Sequence, residues 1–305
     1  MNKWKLLRVG FGIMLLSIII WYLDPHKIAL SLAGLDYFWI IIACLLIVCT
    51  TLIGALNSYL IINLEKKLTF FTFLPLFWLS WAVGLIFPGQ VGDMASMAAQ
   101  LRRHGINLSV SIGRGLADKL ISLILMIAFA SWEITNLPSF SIPLAWIAGL
   151  FAFFVLGTWQ AKRIFIFLRA PKGRIANFIS TAVRETYQVA VRHPKRISGN
   201  AILTAIKICL TGVSYWCVFH ALGYDEIDPW RVITLVAISS LVAYVPISFN
   251  GIGTAEITGV VLFGTLGLNQ ADILSAYLIL RVMVMVIAWL PAGGWWLITT
   301  PQQQD

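Results

Sequence analysis

Charge is scarce in this sequence: only 11% of the 305 residues are Asp, Glu, Lys or Arg, whereas 59% are hydrophobic. A soluble domain needs a more polar surface than that, so most of the chain must face lipid. Apolar runs of about 17–25 residues recur, which is the length that membrane-spanning helices require. The longest polar stretch, 162–196, is too short for a soluble catalytic domain. The composition therefore predicts an all-α polytopic membrane protein.

Cysteines are also few, and none is spaced like a metal ligand or a disulfide partner. All four lie inside apolar runs, as Cys44, Cys49, Cys209 and Cys217, so we predict neither a metal site nor a disulfide framework. The sequence has no HExxH, GxSxG or P-loop motif and no recognisable Ser/His/Asp set. We therefore predict that the protein is not an enzyme and has no cofactor.

Long apolar segments dominate what the sequence does contain. We predict eight of them, at 6–23, 38–62, 72–87, 112–131, 142–160, 197–221, 231–247 and 274–298. Lys and Arg concentrate on the cytoplasmic side of a membrane, which puts the N-terminus inside. A full crossing by 72–87 would move the basic residues that follow it outside, namely Arg102, Arg103, Arg114 and Lys119. We therefore predict that 72–101 enters from the cytoplasm and returns, and that 231–267 does the same from the opposite side.

This arrangement gives six full spans plus two re-entrant broken helices, with both termini in the cytoplasm. The first half, about 6–131, begins inside, and the second half, about 142–298, begins outside. We therefore predict an inverted-topology repeat within a single transmembrane domain of residues 1–305, in which the two breaks meet near the membrane midplane.

The two breaks have the same order of residues: a proline, then glycine, then a carboxylate. The first, FPGQVGD over 87–93, contains Pro88, Gly92 and Asp93; the second, VPISFNGIGTAE over 245–256, contains Pro246, Asn250, Gly251, Gly253 and Glu256. Proline removes an amide donor and glycine permits unusual backbone turns. Half-helices are predicted near 92–101 and 253–267, with amides at their N-termini that attract anions. Matching breaks point to a transporter binding site, although kinked helices without a ligand remain an alternative.

Charged residues inside apolar segments are costly and therefore informative. Asp93 and Glu256 either cap the half-helices or take part in proton or cation coupling. We predict that Arg281 pairs with Glu256 or Asp93 and holds an anionic head group. Lys207 either faces a polar cavity or extends to the cytoplasmic surface.

The sequence GRGLADKLIS contains Arg114, Asp118 and Lys119 where the chain re-enters the membrane. Arg114 and Asp118 are one helical turn apart, so they can pair on one face. A solvated helix end is the alternative.

The basic stretch 162–196 contains one pattern of its own. Apolar residues recur at helical spacing between arginines, as Ile175, Phe178, Ile179, Val183, Tyr187 and Val191. We predict an amphipathic helix on the anionic cytoplasmic leaflet rather than a nucleic-acid-binding segment.

Both break regions resemble a known family. FPGQVGDMASMAAQLRRHGINLSVSIGRGLADKLISL and VPISFNGIGTAEITGVVLFGTLGL are similar to the two motif blocks of the lysylphosphatidylglycerol synthase transmembrane region family, also called flippase-like domain proteins, and the resemblance covers about 10–298. The residues that match its motifs are Pro88, Gly92, Asp93, the pair Asp118 and Lys119, Pro246, Gly251, Gly253 and Glu256. Asn250 stands where the family often has glycine.

The resemblance implies movement of lipids between leaflets. The aminoacyl-transferring domain of two-domain members has no counterpart in the sequence, so we do not expect synthesis of lysylphosphatidylglycerol. We predict an inner-membrane, flippase-like transporter of an anionic, aminoacylated or polyprenyl- or glycan-linked lipid. Its expected partners are membrane lipids, with a second copy or an envelope-biosynthesis protein as further possibilities. The alternatives are a scaffold or accessory protein of envelope lipid or glycan biosynthesis, a small-solute secondary transporter, and a membrane enzyme of lipid-linked sugars or phosphates.

Overall fold

The computed structural model describes residues 34–65, 67–85, 87, 92–136, 173–244 and 251–299, with side chains for all of them except 134–136, 174–176 and 293–299. These ranges contain nine helices and no strand. The helices are α1 (Tyr37–Ile62), α2 (Phe70–Gly84), α3 (Gly92–Arg102), α4 (Leu108–Asn136), α5 (Arg174–Arg192), α6 (Pro194–Ala221), α7 (Pro229–Tyr244), α8 (Thr254–Gly264) and α9 (Gln270–Thr299). The predicted spans 6–23 and 142–160 lie outside the described residues.

Four of these helices are long and apolar enough to cross a bilayer: α1, α4, α6 and α9. They correspond to the predicted segments 38–62, 112–131, 197–221 and 274–298. With 26 residues, α1 is about 39 Å long at 1.5 Å per residue, which exceeds a hydrocarbon core of about 30 Å.

An antiparallel pair of helices, α1 and α6, forms the most extensive contact in the described structure. At one end the amide of Asp36 donates to the carbonyl of Ala221 over 3.0 Å. At the other end the guanidinium of Arg196 donates to the carbonyl of Leu60 over 2.7 Å. These contacts define two ends of the molecule, called here the Ala221 end and the Arg196 end.

The first broken segment is a hairpin of two short helices, α2 with 15 residues and α3 with 11. At about 22 and 16 Å, neither reaches across a hydrocarbon core of about 30 Å. The Gln100 side chain of α3 donates to the Ser80 hydroxyl of α2 over 2.7 Å. The base of the hairpin lies at the Arg196 end, where the Lys67 ammonium donates to the carbonyl of Gly105 over 2.7 Å. The predicted half-helix 92–101 is thus present as α3, while Pro88 lies outside the described residues.

The second broken segment is also a pair of short helices, α7 with 16 residues and α8 with 11. Before α8, Gly251 and Gly253 have φ values of 74° and 83°, a left-handed conformation that residues with a Cβ atom adopt only under strain. At Gly251 a Cβ atom would also lie 2.7 Å from the Cβ of Ala243. The predicted half-helix near 253–267 is present but ends at Gly264, and Pro246 and Asn250 lie outside the described residues.

The base of this second pair lies at the Ala221 end. There the Tyr224 hydroxyl donates to the Asp272 carboxylate over 2.7 Å and accepts the amide of Asn269 over 3.1 Å. Burial, together with the Asp272 carboxylate, raises the pKa of the Tyr224 hydroxyl to about 12. Tyr224 is therefore a neutral donor that ties the loop before α7 to the loop before α9.

The first helix of each short-helix pair packs against a long helix from the other half of the chain. The arm α2 packs against α9, and the arm α7 packs against α4. Each pair therefore packs against the long helix that follows the other pair. The starts of α3 and α8 consequently lie in the same central region.

The amphipathic helix predicted within 162–196 is present as α5, and it packs on the start of α4. Its buried face contains Ala182 and Val189, whereas Ile179, Tyr187 and Val191 are exposed. Gly113 makes the close approach possible, since a Cβ atom there would lie 2.3 Å from the carbonyl oxygen of Ala182. Part of the predicted apolar stripe, namely Ile179, Tyr187 and Val191, is thus exposed, whereas Phe178 and Val183 are half-buried. Contact of the stripe with lipid remains a prediction.

Candidate functional site

A cavity of about 400 Å³ with several charged and hydroxyl-bearing lining residues lies between the long helices and the two short-helix pairs. Its volume is within the range of small-molecule sites, roughly 300–1,000 Å³. Charged residues of both halves line it, namely Asp93, Asp118, Lys119, Lys207 and Arg281. The hydroxyl groups that line it include those of Thr50, Thr211, Ser214, Ser240, Tyr215 and Tyr244. Of the ten predicted site residues that the structure describes, five thus line the cavity together.

Asp93 forms an ion pair in the first turn of α3. One of its oxygens accepts the amide of Met94 over 2.8 Å, and the other accepts the Lys119 ammonium over 2.6 Å. The predicted acid–base neighbours Asp118 and Lys119 thus have separate partners. Position 92 has no room for a side chain, because a Cβ atom there would lie 2.5 Å from the Cβ of Phe87.

Glu256 forms the corresponding pair in the first turn of α8. It is 0% exposed, and its Oε2 accepts the amide of Gly253 over 2.8 Å, which closes the start of the helix. Its Oε1 accepts the Nε of Arg281 over 2.6 Å. The predicted pairing of Arg281 with Glu256 is confirmed, and so is the capping role of Glu256.

Arg114 does not pair with Asp118, so that prediction is wrong. Its guanidinium binds both oxygens of Glu65, at 2.7 and 2.5 Å, and the carbonyl of Ile62 at 2.9 Å. Glu185 of α5 is a second acid partner at 3.4 Å. Two side chains one helical turn apart pair only if neither has a better partner. Here two glutamates that are distant in sequence are better acceptors for the Arg114 guanidinium than Asp118 is. Arg114 therefore joins α4, α5 and the loop after α1 outside the cavity.

The hydrogen bond from Arg114 lowers the pKa of the Glu65 carboxyl group. Glu65 lies in the loop between α1 and α2, where it keeps its negative charge at neutral pH. The Arg114 pair is therefore a stable feature of the Arg196 end.

Asp118 is instead bound by amide side chains at the edge of the cavity. Its Oδ1 accepts the Nδ2 of Asn57 of α1 over 3.1 Å and the Nδ2 of Asn200 of α6 over 2.7 Å. The Nδ2 of Asn57 also donates to the Thr204 hydroxyl over 2.9 Å. Four buried polar residues from three helices thus form one group, which we call the Asp118 cluster.

Lys207 lines the cavity but has no acidic partner within hydrogen-bond distance among the described residues. Its side chain passes Gly54, where a Cβ atom would lie 3.6 Å from the Lys207 Nζ. The alternative that Lys207 faces a polar cavity is therefore confirmed over extension to the surface. An unpaired ammonium in such a place attracts an anion.

Sequence reasoning missed Asn57, Asn200 and Thr204, which hold Asp118, and Glu65 and Glu185, which hold Arg114. Asn57 and Asn200 carried a usable signal, since each is a polar residue within an apolar segment. Glu185 was hidden among the basic residues of its helix. Among the residues that the structure describes, no three His, Cys, Asp or Glu side chains come together as a metal site.

One comparison with known proteins gives a match. The model of the family described as "Lysylphosphatidylglycerol synthase TM region" matches residues 6–292. No curated protein and no solved structure is significantly similar to the chain. The matched range includes both short-helix pairs and every residue that lines the cavity.

Proposed function

Since this chain belongs to the lysylphosphatidylglycerol synthase transmembrane region family and is a multi-pass membrane protein, we propose that it moves a lipid with an anionic head group between leaflets. The central cavity would hold the head group, and the acyl chains would remain in the bilayer. The cavity of about 400 Å³ is large enough for a head group but not for a whole lipid.

The unpaired Lys207 is the observation that carries this proposal. Asp93 neutralises Lys119, and Glu256 neutralises Arg281. Lys207 alone among the cavity cations has no carboxylate within hydrogen-bond distance among the described residues. A phosphate group would supply the missing negative charge and accept several of its N–H donors. We therefore assign the principal head-group contact to Lys207 and a supporting role to the neighbouring hydroxyl groups.

An inverted-topology repeat of two re-entrant hairpins would give the transporter its alternating access. The reciprocal packing of the two halves supports this repeat, because α2 packs on α9 and α7 packs on α4. The two bases at opposite ends support it as well, one near Lys67 and Gly105, the other near Tyr224 and Asp272. In such repeats, one half rocks against the other around a fixed midplane site.

The orientation in the membrane follows from charge. Basic residues gather at the Arg196 end, and the loop at the Ala221 end carries Asp225, Glu226 and Asp228. By the positive-inside rule the Arg196 end faces the cytoplasm. We propose location in the inner membrane with both termini in the cytoplasm, where α5 would rest its exposed apolar stripe on the anionic leaflet.

The test is a head-group accessibility assay in vesicles that contain the purified protein. A fluorescent phosphatidylglycerol is the probe, and dithionite in the medium bleaches only the outer leaflet. We expect protein-dependent bleaching beyond the outer-leaflet half, and a decrease of its rate by about tenfold or more in Lys207→Met, since a hydrogen bond to a charged group is lost. Lys195→Met is the matched control, because Lys195 is exposed on the same helix.

Two outcomes would contradict the proposal. Equal rates in Lys207→Met and Lys195→Met would remove the assigned role of Lys207. Equal rates for phosphatidylglycerol and a labelled phosphatidylcholine would remove the preference for anionic head groups. A rate that is unchanged in both Glu256→Gln and Arg281→Ala would in addition show that the second break plays no part in transport.

A further inference from the structure

The cations of the cavity differ in how their charge is balanced. Lys119 and Arg281 each bind a carboxylate directly. Lys207 shares the cavity lining with the Asp118 carboxylate, and the two charges attract each other electrostatically. No hydrogen bond joins them, however, because the hydrogen bonds that Asp118 accepts on its carboxylate come from amide side chains. Asp118 thus balances part of the charge of Lys207 from a distance.

Two buried amides hold the Asp118 carboxylate in place. The Nδ2 atoms of Asn57 and Asn200 both donate to its Oδ1, over 3.1 and 2.7 Å. The Nδ2 of Asn200 also donates to the backbone carbonyl of Asn57 over 3.4 Å. Both amides are 0% exposed, and they come from different helices, α1 and α6. The carboxylate is therefore fixed by its neighbours rather than free to follow the Lys207 ammonium.

Lys207 lies close to this cluster along both of those helices. On α6 it follows Thr204, whose hydroxyl accepts the Nδ2 of Asn57, by three residues. On α1 its ammonium lies beside Gly54, three residues before Asn57. Three residues correspond to about 4.5 Å along a helix. The carboxylate is thus close enough for its charge to act on Lys207 while the N–H donors of the ammonium stay available.

This arrangement determines how tightly an anion would bind at Lys207. A direct ion pair would occupy the N–H donors, whereas a cation with no carboxylate nearby would hold an anion strongly in a cavity shielded from water. A fixed carboxylate at a distance leaves the donors free and opposes the charge of the anion. A ligand that has to pass through a protein must bind well enough to enter and weakly enough to leave.

We propose that Asp118 is a counter-ion of Lys207 that weakens the binding of a phosphate head group and so permits its release. Asn57 and Asn200 are its positioning residues, because they keep the carboxylate from pairing with Lys207 directly. This role rests on the proposed function, since it concerns the head group that Lys207 is assigned to bind.

The first test measures binding, which requires no movement of lipid. Dihexanoyl-phosphatidylglycerol, a water-soluble short-chain lipid, is titrated into the purified protein in detergent by isothermal titration calorimetry at constant ionic strength. Asp118→Asn retains an oxygen for both amide donors, and we expect it to lower the dissociation constant about tenfold. Glu133→Gln is the matched control, because Glu133 is a buried carboxylate of the same helix that binds Arg231 and does not line the cavity. It should leave the dissociation constant unchanged.

Two further variants separate this role from a purely structural one. Asn200→Leu removes an amide donor and allows Asp118 to approach Lys207, so the dissociation constant should rise rather than fall. The double variant Asp118→Asn with Lys207→Met should bind as weakly as Lys207→Met alone, because the carboxylate acts through that ammonium. Loss of structure would instead weaken binding in Asp118→Asn and Asn200→Leu alike.

The second test is the rate of dithionite bleaching in vesicles. Asp118→Asn should slow the protein-dependent bleaching although it binds the head group more tightly. An unchanged or higher dissociation constant in Asp118→Asn would overturn the counter-ion role and leave the proposed function intact. Tighter binding in this variant, without bleaching by the unmodified protein, would support the counter-ion role and contradict the movement of lipids. Absence of saturable binding in both proteins would overturn the counter-ion role and the head-group site together.

Discussion

Arg281 and Glu256 form an ion pair in which the two oxygens of the carboxylate have different tasks. Oε1 binds the guanidinium, while Oε2 accepts the Gly253 amide at the start of the same helix. Asp93 repeats this division, since one oxygen accepts the Met94 amide and the other the Lys119 ammonium. In both breaks, one carboxylate therefore fixes the start of a short helix and ties it to the long helix that follows.

Loss of the charge on Glu256 should destabilise the protein strongly. Glu256→Gln still offers an oxygen to the Gly253 amide but leaves Arg281 as a largely buried, unpaired cation. Breaking a buried pair from one side costs about 3–5 kcal/mol. We expect a decrease of this order in the free energy of unfolding, measured in detergent–lipid mixtures with increasing SDS. The double variant Glu256→Gln with Arg281→Met should recover a clear part of it, and simple additivity of the two single changes would contradict the pairing.

Gly253 should not tolerate a side chain. With φ at 83°, Gly253→Ala places a Cβ atom in the left-handed region, at a cost of about 1–2 kcal/mol. Gly264→Ala is the control, because a Cβ atom there meets nothing within 4 Å. The melting temperature of the first variant should fall, and that of the second should stay within error of the unmodified protein. Equal melting temperatures for both variants would mean that the strained turn does not matter.

Gly113 should control the docking of α5. Gly113→Ala would place a Cβ atom 2.3 Å from the carbonyl oxygen of Ala182, whereas Gly199→Ala would meet only Leu60 at an ordinary 3.7 Å. We expect α5 to separate from α4 in the first variant alone. Limited trypsin digestion should then cleave after Arg184 and Arg192 several times faster than in the unmodified protein. A loss of about 1 kcal/mol in the free energy of docking would increase the population of the open form by that factor. The same digestion rate in both glycine variants would refute the tight contact.

The Glu65–Arg114 pair should make stability sensitive to acid. The pKa of Glu65 is lower in the folded protein than in the unfolded chain, so its contribution is present above about pH 4.3 and is lost as the pH falls through the folded pKa. We expect Glu65→Gln to lower the melting temperature at pH 7, and the gap to the unmodified protein to shrink below about pH 4. Glu226→Gln, which changes an exposed carboxyl group, should show no such gap at either pH.

The loops at the bases of the two short-helix pairs should be accessible from opposite sides of the membrane. Single cysteines at 102–104 and at 268–272, in a variant without the four native cysteines, are labelled in intact cells and inverted vesicles with a membrane-impermeant maleimide. We expect cells to label only the second set and inverted vesicles only the first. Labelling of both sets from one side would exclude the inverted arrangement.

The sequence was sufficient to predict the helices, because each helix depends on residues that are close together in the chain. The spans matching α1, α4, α6 and α9 follow from apolar length alone, and the starts of α3 and α8 follow from glycine and a carboxylate in the first turn. The pairing of Arg281 with Glu256 was predictable too, since an intramembrane cation has few acids to choose from.

Long-range polar contacts escaped prediction for a physical reason. Arg114 lies one turn from Asp118, yet its guanidinium finds two oxygens of Glu65, which is 49 residues away. Local spacing shows which side chains can meet but not which distant acceptor offers a bidentate partner. The Asp118 cluster was hidden likewise, because its amides come from α1 and α6 and depend on how those helices cross.

The contact of Gly113 with Ala182 has a mechanical consequence. It leaves no room for a side chain between the two backbones, and the Thr186 hydroxyl bridges the same gap by donating to the carbonyl of Gly113 over 2.7 Å. The helix α5 and the first turns of α4 are therefore tightly packed together at this point. Asp118 and Lys119 lie within two turns of that contact, so we expect a displacement of α5 to shift the part of the cavity wall that they line.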